Sequence, residues 1–276
     1  MSTSFLIFGG GNMATAIVSG AARAGLALFD RARVVEPDGA KHVALARLGL
    51  RVFPSAAPAI EDLSCDGTGS MAVLLAVKPQ MLGDVAREAA PLVQHRPLVI
   101  SILAGTTLER LAAAFPGCPR LIRAMPNLPA SIGLGATALA PGAGATEQDV
   151  RLAHDLFRAV GPLVVPVDES LMDAFTALAG SGPAYLFLLA EAMTRAGVEV
   201  GFDAATSLAI TRQTLQGAAE LLARSTDRPV SLRAAVTSKG GTTAAAISVL
   251  TDRGVIEALN AAITAARDRG RELSRL

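Results

Sequence analysis

Phe5-Leu6-Ile7-Phe8-Gly9-Gly10-Gly11-Asn12-Met13-Ala14 is the stretch from which the architecture follows. Four apolar residues read as a short strand. Three glycines then turn the chain, and Met13 to Ala24 carries Ala14, Ile17, Val18 and Ala21 at helical spacing, with Gly25 as a stop. Gly9, Gly11 and Ala14 form the pattern GxGxxA between strand and helix. Gly9 permits a tight turn, Gly11 has no side chain to block an approaching pyrophosphate, and Ala14 is small enough for helix and strand to pack closely. The helix start adds free N–H groups and a positive dipole end. The same pattern, taken alone, also suits a plain strand-to-helix turn. Glu36, at the end of a second strand (Arg33 to Val35) and 22 residues past Ala14, favours a dinucleotide, because a carboxylate there accepts the ribose 2′-OH and repels a 2′-phosphate. The expected cofactor is NADPH or NADH, with Glu36 tilting towards NADH and Lys41 offsetting the tilt. The turn residues Gly9, Gly10, Gly11, Asn12, Met13 and Ala14 are its expected cradle.

Beyond the turn, strand and helix signals alternate. A helix fits Gly39 to Leu48, with Gly49 as its stop. Strands fit Arg51 to Phe53, Met71 to Val77, Leu98 to Ile102 and Leu121 to Ala124, and helices fit near Met81 to Ala89 and Thr107 to Phe115. The strands are continuous apolar runs, as a parallel sheet covered on both faces requires. Thr137 to Ala140 and Leu163 to Val167 are candidates to extend the sheet. From Asp168 strand signals vanish and long helical stretches take over. Ala184 to Ala196 is apolar almost all round, which calls for burial on every side and points to a subunit interface. The last helix shows one apolar stripe, Ile256, Leu259, Ile263, Ala266 and Leu273, with packing inside the same subunit as the competing reading. The expectation is an α/β chain: an N-terminal Rossmann-type doubly wound parallel sheet over residues 1–167, then an all-α dimerisation domain over residues 168–276.

Composition narrows the function classes. With 25 basic and 24 acidic residues and no basic block, nucleic acid is not an expected partner. Apolar residues make up 51% and charged residues 18%, which suits a packed globular chain and argues against disorder. The longest apolar runs fall far short of the ~20 residues that cross a bilayer, so no membrane association is expected. Cys65 and Cys118 have no CxxC partner, and His42, His95 and His154 have no metal-ligand spacing, so no metal is expected. The start of the chain lacks a secretory pattern, and a cytoplasmic protein is expected.

Three further segments end strands: Ala76-Val77-Lys78-Pro79-Gln80, Ser101-Ile102-Leu103-Ala104-Gly105 and Arg123-Ala124-Met125-Pro126-Asn127. Ligands of open parallel sheets bind outside the carboxyl ends of the strands, so Ala76, Val77, Lys78, Pro79, Ala104 and Gly105 join the expected cofactor set. Later come Gly180-Ser181-Gly182-Pro183-Ala184-Tyr185 and Thr237-Ser238-Lys239-Gly240-Gly241-Thr242-Thr243. This ordered set closely resembles pyrroline-5-carboxylate reductase, from Phe5 to about Gly270. The resemblance implies a Rossmann domain, a helical domain that dimerises by interleaving, assembly up to decamers, and hydride transfer from NAD(P)H to the cyclic imine of 1-pyrroline-5-carboxylate to give L-proline. It also implies that the Thr243 hydroxyl hydrogen-bonds the imine nitrogen, while Ser238 and the backbone of Gly240, Gly241, Thr242 and Thr243 hold the substrate carboxylate; the charge of Lys239 adds a cation for the same carboxylate. Two departures stand out: Lys239 replaces a proline common in the family, and Ala59 to Ser70 is longer and less regular than usual.

By spacing alone, Ser238, Thr242 and Thr243 also read as simple caps of a helix over Ala244 to Leu250. No His, Cys or carboxylate is placed as a general acid, so positioning is expected to dominate, with the proton coming from solvent or a pre-protonated imine. The competing readings are a reductase of another small cyclic imine, a β-hydroxyacid enzyme, and a non-catalytic dinucleotide sensor.

Overall fold

A computed structural model describes residues 3–26, 32–64 and 70–275; Cys65 lies outside them. The chain forms two compact units, Met1–Ser181 together with Ala266–Leu276, and Gly182–Ala265.

The first unit is built on eight strands: β1 (Thr3–Phe8), β2 (Arg33–Val35), β3 (Arg51–Phe53), β4 (Ser70–Leu75), β5 (Leu98–Ser101), β6 (Leu121–Pro126), β7 (Ala136–Pro141) and β8 (Leu163–Pro166). Their spatial order is β3-β2-β1-β4-β5-β6-β7-β8. The first six run parallel, with pairings such as Ile7 opposite Val34 and Leu74. β7 runs antiparallel to β6 and carries β8 parallel to itself. The expected all-parallel sheet thus gains a reversed edge. Its cause is the short link after β6, which lacks the dozen or more residues that a parallel crossover needs.

Helices cover both faces. Phe5 and Ile7 of β1, Ala72 and Leu74 of β4, and Ile100 of β5 pack against Ile17, Val18 and Ala21 of α1 (Asn12–Arg23) and Leu156 and Phe157 of α6 (Glu147–Arg158). Leu6, Phe8, Val73, Leu75 and Val99 face the other side, with Leu82 and Val85 of α4 (Leu82–Ala89) and Leu111 of α5 (Leu108–Ala114). Period-two alternation within uninterrupted apolar runs places one set of residues on each face. The expected helix from Gly39 resolves into a 3₁₀ turn, Gly39–Lys41, and α2 (His42–Ala46). The first part of the irregular stretch belongs to α3 (Ala56–Ser64), and residues 65–69 lie outside the described residues. The unit also keeps α7 (Met172–Phe175), whose buried Met172 packs on Ala138 and Ala140 of β7. The spatial division therefore lies at Ser181, later than the expected one at residue 167.

The second unit contains α8 (Gly182–Glu199), α9 (Ala204–Arg224), α10 (Pro229–Ala235), α11 (Thr242–Asp252) and the first half of α12 (Val255–Arg275). α8 and α9 cross at Gly197, where a Cβ would lie 2.1 Å from the Ser207 hydroxyl, which itself donates to the Thr194 carbonyl at 2.6 Å. In the single chain Leu186, Phe187, Leu188 and Leu189 of α8 are about half exposed or more, at 56%, 57%, 67% and 47%. An all-round apolar helix left this open is a large uncovered apolar surface in the single chain. Among the described residues, no helix is long and apolar enough to cross a membrane.

Candidate functional site

The strand order reverses between β1 and β4, and the glycine turn stands at that switch point, where doubly wound sheets bind ligands. Gly9 has φ +95°, and a Cβ there would lie 2.5 Å from the Ala76 carbonyl oxygen. Its N–H donates to the Val35 carbonyl at 2.9 Å, while Ala76 N–H donates to the Phe8 carbonyl at 2.9 Å. Gly9 is thus a packing glycine. Gly11 is different: it is the N-cap of α1 with φ −74°, its position carries no side-chain cap, and nothing lies within 4 Å of where its Cβ would stand. Asn12 is exposed, Met13 half-buried and Ala14 buried. An open helix start with uncapped N–H groups fits a pyrophosphate.

Glu36 is 6% exposed and does more than the sequence suggested. Its Oε2 accepts the Gly10 N–H at 2.8 Å and lies 3.2 Å from Lys41 Nζ, while Oε1 accepts the Asp38 N–H at 3.0 Å. Burial is the largest single influence and opposes its ionisation. The two N–H donors and Lys41 together outweigh it, so the carboxyl sits below its ordinary value. Glu36 therefore braces the turn. That role was missed because Gly10 and Glu36 are 26 residues apart and nothing local marks the bond.

Ala76 and Val77 follow β4 directly, exposed Lys78 precedes a 3₁₀ turn at Pro79–Met81, and Ala104 and Gly105 follow β5. Gly105 has φ +68°, and its Cβ would lie 3.2 Å from Cβ of Leu273, so the end of α12 packs over it. All the expected cofactor residues thus belong to one sheet edge of the first unit.

Ser238 to Thr243 belong to the second unit. The Gly241 N–H donates to the Ser238 carbonyl at 3.0 Å, closing a four-residue turn whose third residue, Gly240, has φ +73°. Lys239 occupies the second position of that turn, a place that favours proline but accepts other residues. The turn leads into α11, whose N-cap is Gly241 with no side-chain cap. The reading of the hydroxyls as caps is thereby corrected: Thr242 and Thr243 are the first helical residues, and the Ser238 hydroxyl stands where a Cβ on Gly241 would come within 2.5 Å of it.

Two families match the chain: pyrroline-5-carboxylate reductase dimerisation over residues 169–273, and NADP oxidoreductase coenzyme F420-dependent over residues 4–105. A pyrroline-5-carboxylate reductase of Synechocystis is 40% identical over 276 residues, covering 100% of both chains. The chain belongs to the pyrroline-5-carboxylate reductase family. Two solved members of that family superpose over nearly their whole length. The Coxiella burnetii pyrroline-5-carboxylate reductase gives a TM-score of 0.87 at 34% identity, covering 98% of each chain. The Plasmodium falciparum pyrroline carboxylate reductase, solved with NADP bound, gives 0.82 at 25% identity over 99% of this chain and 98% of that one.

Proposed function

We propose that this chain reduces 1-pyrroline-5-carboxylate to L-proline with NADPH or NADH. The observation that carries this reading is the full-length likeness to the Synechocystis reductase. When bound, the reduced nicotinamide supplies the hydride. The chain supplies position. Gly11 and the open start of α1 hold the pyrophosphate, and Gly9, Gly10, Asn12, Met13 and Ala14 shape that turn. Glu36, Ala76, Val77, Lys78, Pro79, Ala104 and Gly105 complete the cofactor edge, with Glu36 tilting preference towards NADH. Ser238, Lys239 and the N–H groups of Gly240 to Thr243 hold the substrate carboxylate, supported by the uncapped start of α11. Thr243 hydrogen-bonds the imine nitrogen, on which hydride addition leaves charge.

By role, residues 1–167 bind the dinucleotide and residues 168–276 bind substrate and dimerise; the dimerisation-family match beginning at residue 169 supports this division. The chain forms homodimers through the open apolar face of α8 and assembles further, up to decamers. It works in the cytoplasm, a setting in keeping with Cys118 as a buried free thiol.

The test is an assay with pyrroline-5-carboxylate and either NADH or NADPH, following loss of reduced-nicotinamide absorbance. Oxidation with equimolar proline formation is expected. No oxidation with either cofactor, by folded protein that binds the cofactor, would refute the reaction and favour another cyclic imine.

A further inference from the structure

Two motifs found in the sequence have no part in the site above: Arg123-Ala124-Met125-Pro126-Asn127 and the segment ending in Gly180-Ser181-Gly182-Pro183. In the first unit they meet. Arg123, Met125 and Asn127 recur at every second residue of the extended β6 and its continuation, and so share one face. Arg123, 4% exposed, reaches Glu169 at 3.3 Å and Asp173 at 3.5 Å. Met125 lies under Gly180, where a Cβ would come within 3.3 Å of its terminal carbon. Asn127, 9% exposed, accepts the Ala136 N–H at 2.9 Å and donates to the Ala179 carbonyl at 3.1 Å, 52 residues away. Both partners are backbone groups of fixed polarity, so the orientation of the amide is determined.

The segment gripped by these residues is unusual. Thr176–Gly180 forms a single π-helical turn, with the Ser181 N–H donating to the Thr176 carbonyl at 2.8 Å. Such turns recur at functional positions in helices. Thr176 also bonds its hydroxyl back to the Met172 carbonyl at 2.8 Å, a contact that bends helices. In a continuing α-helix the Ala179 carbonyl would accept from residue 183. That residue is Pro183, which has no N–H. The Asn127 amide supplies the donor that Pro183 removes. The last turn of chain before the second unit begins at Gly182 is therefore locked by a side chain from the sheet.

We infer that Asn127 is a positioning residue for the reaction: by satisfying the Ala179 carbonyl left without a helical donor by Pro183, it fixes the backbone at the junction where the chain leaves the dinucleotide-binding unit. This rests on the function proposed above, in which cofactor groups belong to one unit and substrate groups to the other. Loosening of this segment is expected to lower kcat, since the reaction depends on position, and to leave cofactor affinity intact. The residues that hold the cofactor make no use of Asn127.

Asn127→Asp keeps the acceptor for Ala136 and loses the donor to Ala179 at constant shape. In the full-length protein, hydrogen exchange is expected to rise at least tenfold in peptides spanning residues 176–186 and to stay unchanged in β1 and α1. With pyrroline-5-carboxylate, kcat is expected to fall at least tenfold while KM for NADH or NADPH stays within twofold. Asn127→Ala, which removes the same donor, is expected to lose kcat likewise, and adding Pro183→Ala, which returns an N–H to residue 183, is expected to recover at least threefold of that loss. Unchanged exchange at 176–186, wild-type kcat despite faster local exchange, a uniform rise in exchange across the first unit, or no recovery in the double variant would each overturn the assignment. An unaltered chain inactive on pyrroline-5-carboxylate would instead sink the proposed reaction, and the exchange measurement would still decide whether Asn127 holds the junction.

Discussion

Gly11→Ala separates a dinucleotide turn from an ordinary strand-to-helix turn. At Gly11 φ is −74°, which any residue adopts, and a methyl group would enter open space. The folded protein therefore loses only the difference between glycine and alanine as an N-cap, about 1 kcal/mol, or a few degrees in Tm for a chain of this size. The added methyl occupies the space from which a phosphate must approach the α1 N–H groups. Losing one charge-assisted hydrogen bond costs about 1.5–3 kcal/mol, which is roughly 10- to 150-fold in Kd. Calorimetric titration with NADH and NADPH measures this directly, with thermal melting in parallel. Gly9→Ala is the control: φ +95° and the 2.5 Å approach to the Ala76 carbonyl predict loss of stability and binding together. A Gly11→Ala protein that binds both cofactors as tightly as the unaltered chain would refute the assignment of this turn to the pyrophosphate.

Other outcomes follow from the same geometry. Thr243→Ala should lower kcat/KM for pyrroline-5-carboxylate at least tenfold, about 1.4 kcal/mol; full activity would remove the hydroxyl from the imine nitrogen. Glu36→Ser should shift the ratio of kcat/KM towards NADPH, and an unchanged ratio would show that Glu36 does not discriminate. Because the Glu36 carboxyl is held below its ordinary value of 4.5, its net stabilising effect is present above that pH and is lost as pH falls through the lower folded value. Denaturant titrations should accordingly show the deficit of Glu36→Gln shrinking below about pH 4.5, and a deficit constant with pH would contradict the bracing role. Asp149, 1% exposed, holds Arg120 and accepts the Thr146 N–H at 2.9 Å; Asp149→Ala should cost about 3 kcal/mol, read from chemical denaturation.

The parts legible in the sequence were those governed by neighbours along the chain. The glycine turn, the strands on either side of it and the helical second half follow from period, glycine placement and apolar runs, because those signals are local. β3 and β5 lie where the apolar runs place them, and α8 extends past both ends of its expected span, to Gly182–Glu199. The turn at Ser238 to Gly241 was legible as a glycine-rich motif, and the resemblance gave it a substrate.

What only tertiary structure decided is set by partners distant in sequence. The reversal of β7 depends on where β6 ends and β7 begins, because only those bounds make the link too short for a parallel crossover. α3 was hidden because its sequence, with Pro58 and an irregular continuation, carries no clean helical period. The grip of Glu36 on Gly10 joins residues 26 apart, and that of Asn127 on Ala179 joins residues 52 apart. A hydrogen bond between a side chain and a remote backbone group leaves no periodic trace, since it needs one polar residue at one end and nothing distinctive at the other. The motifs announced that those positions mattered. The packed sheet supplied the reason: a carbonyl facing a proline where a helical N–H would stand must find its hydrogen bond elsewhere, and the residue that follows β6, Asn127, donates its amide to it.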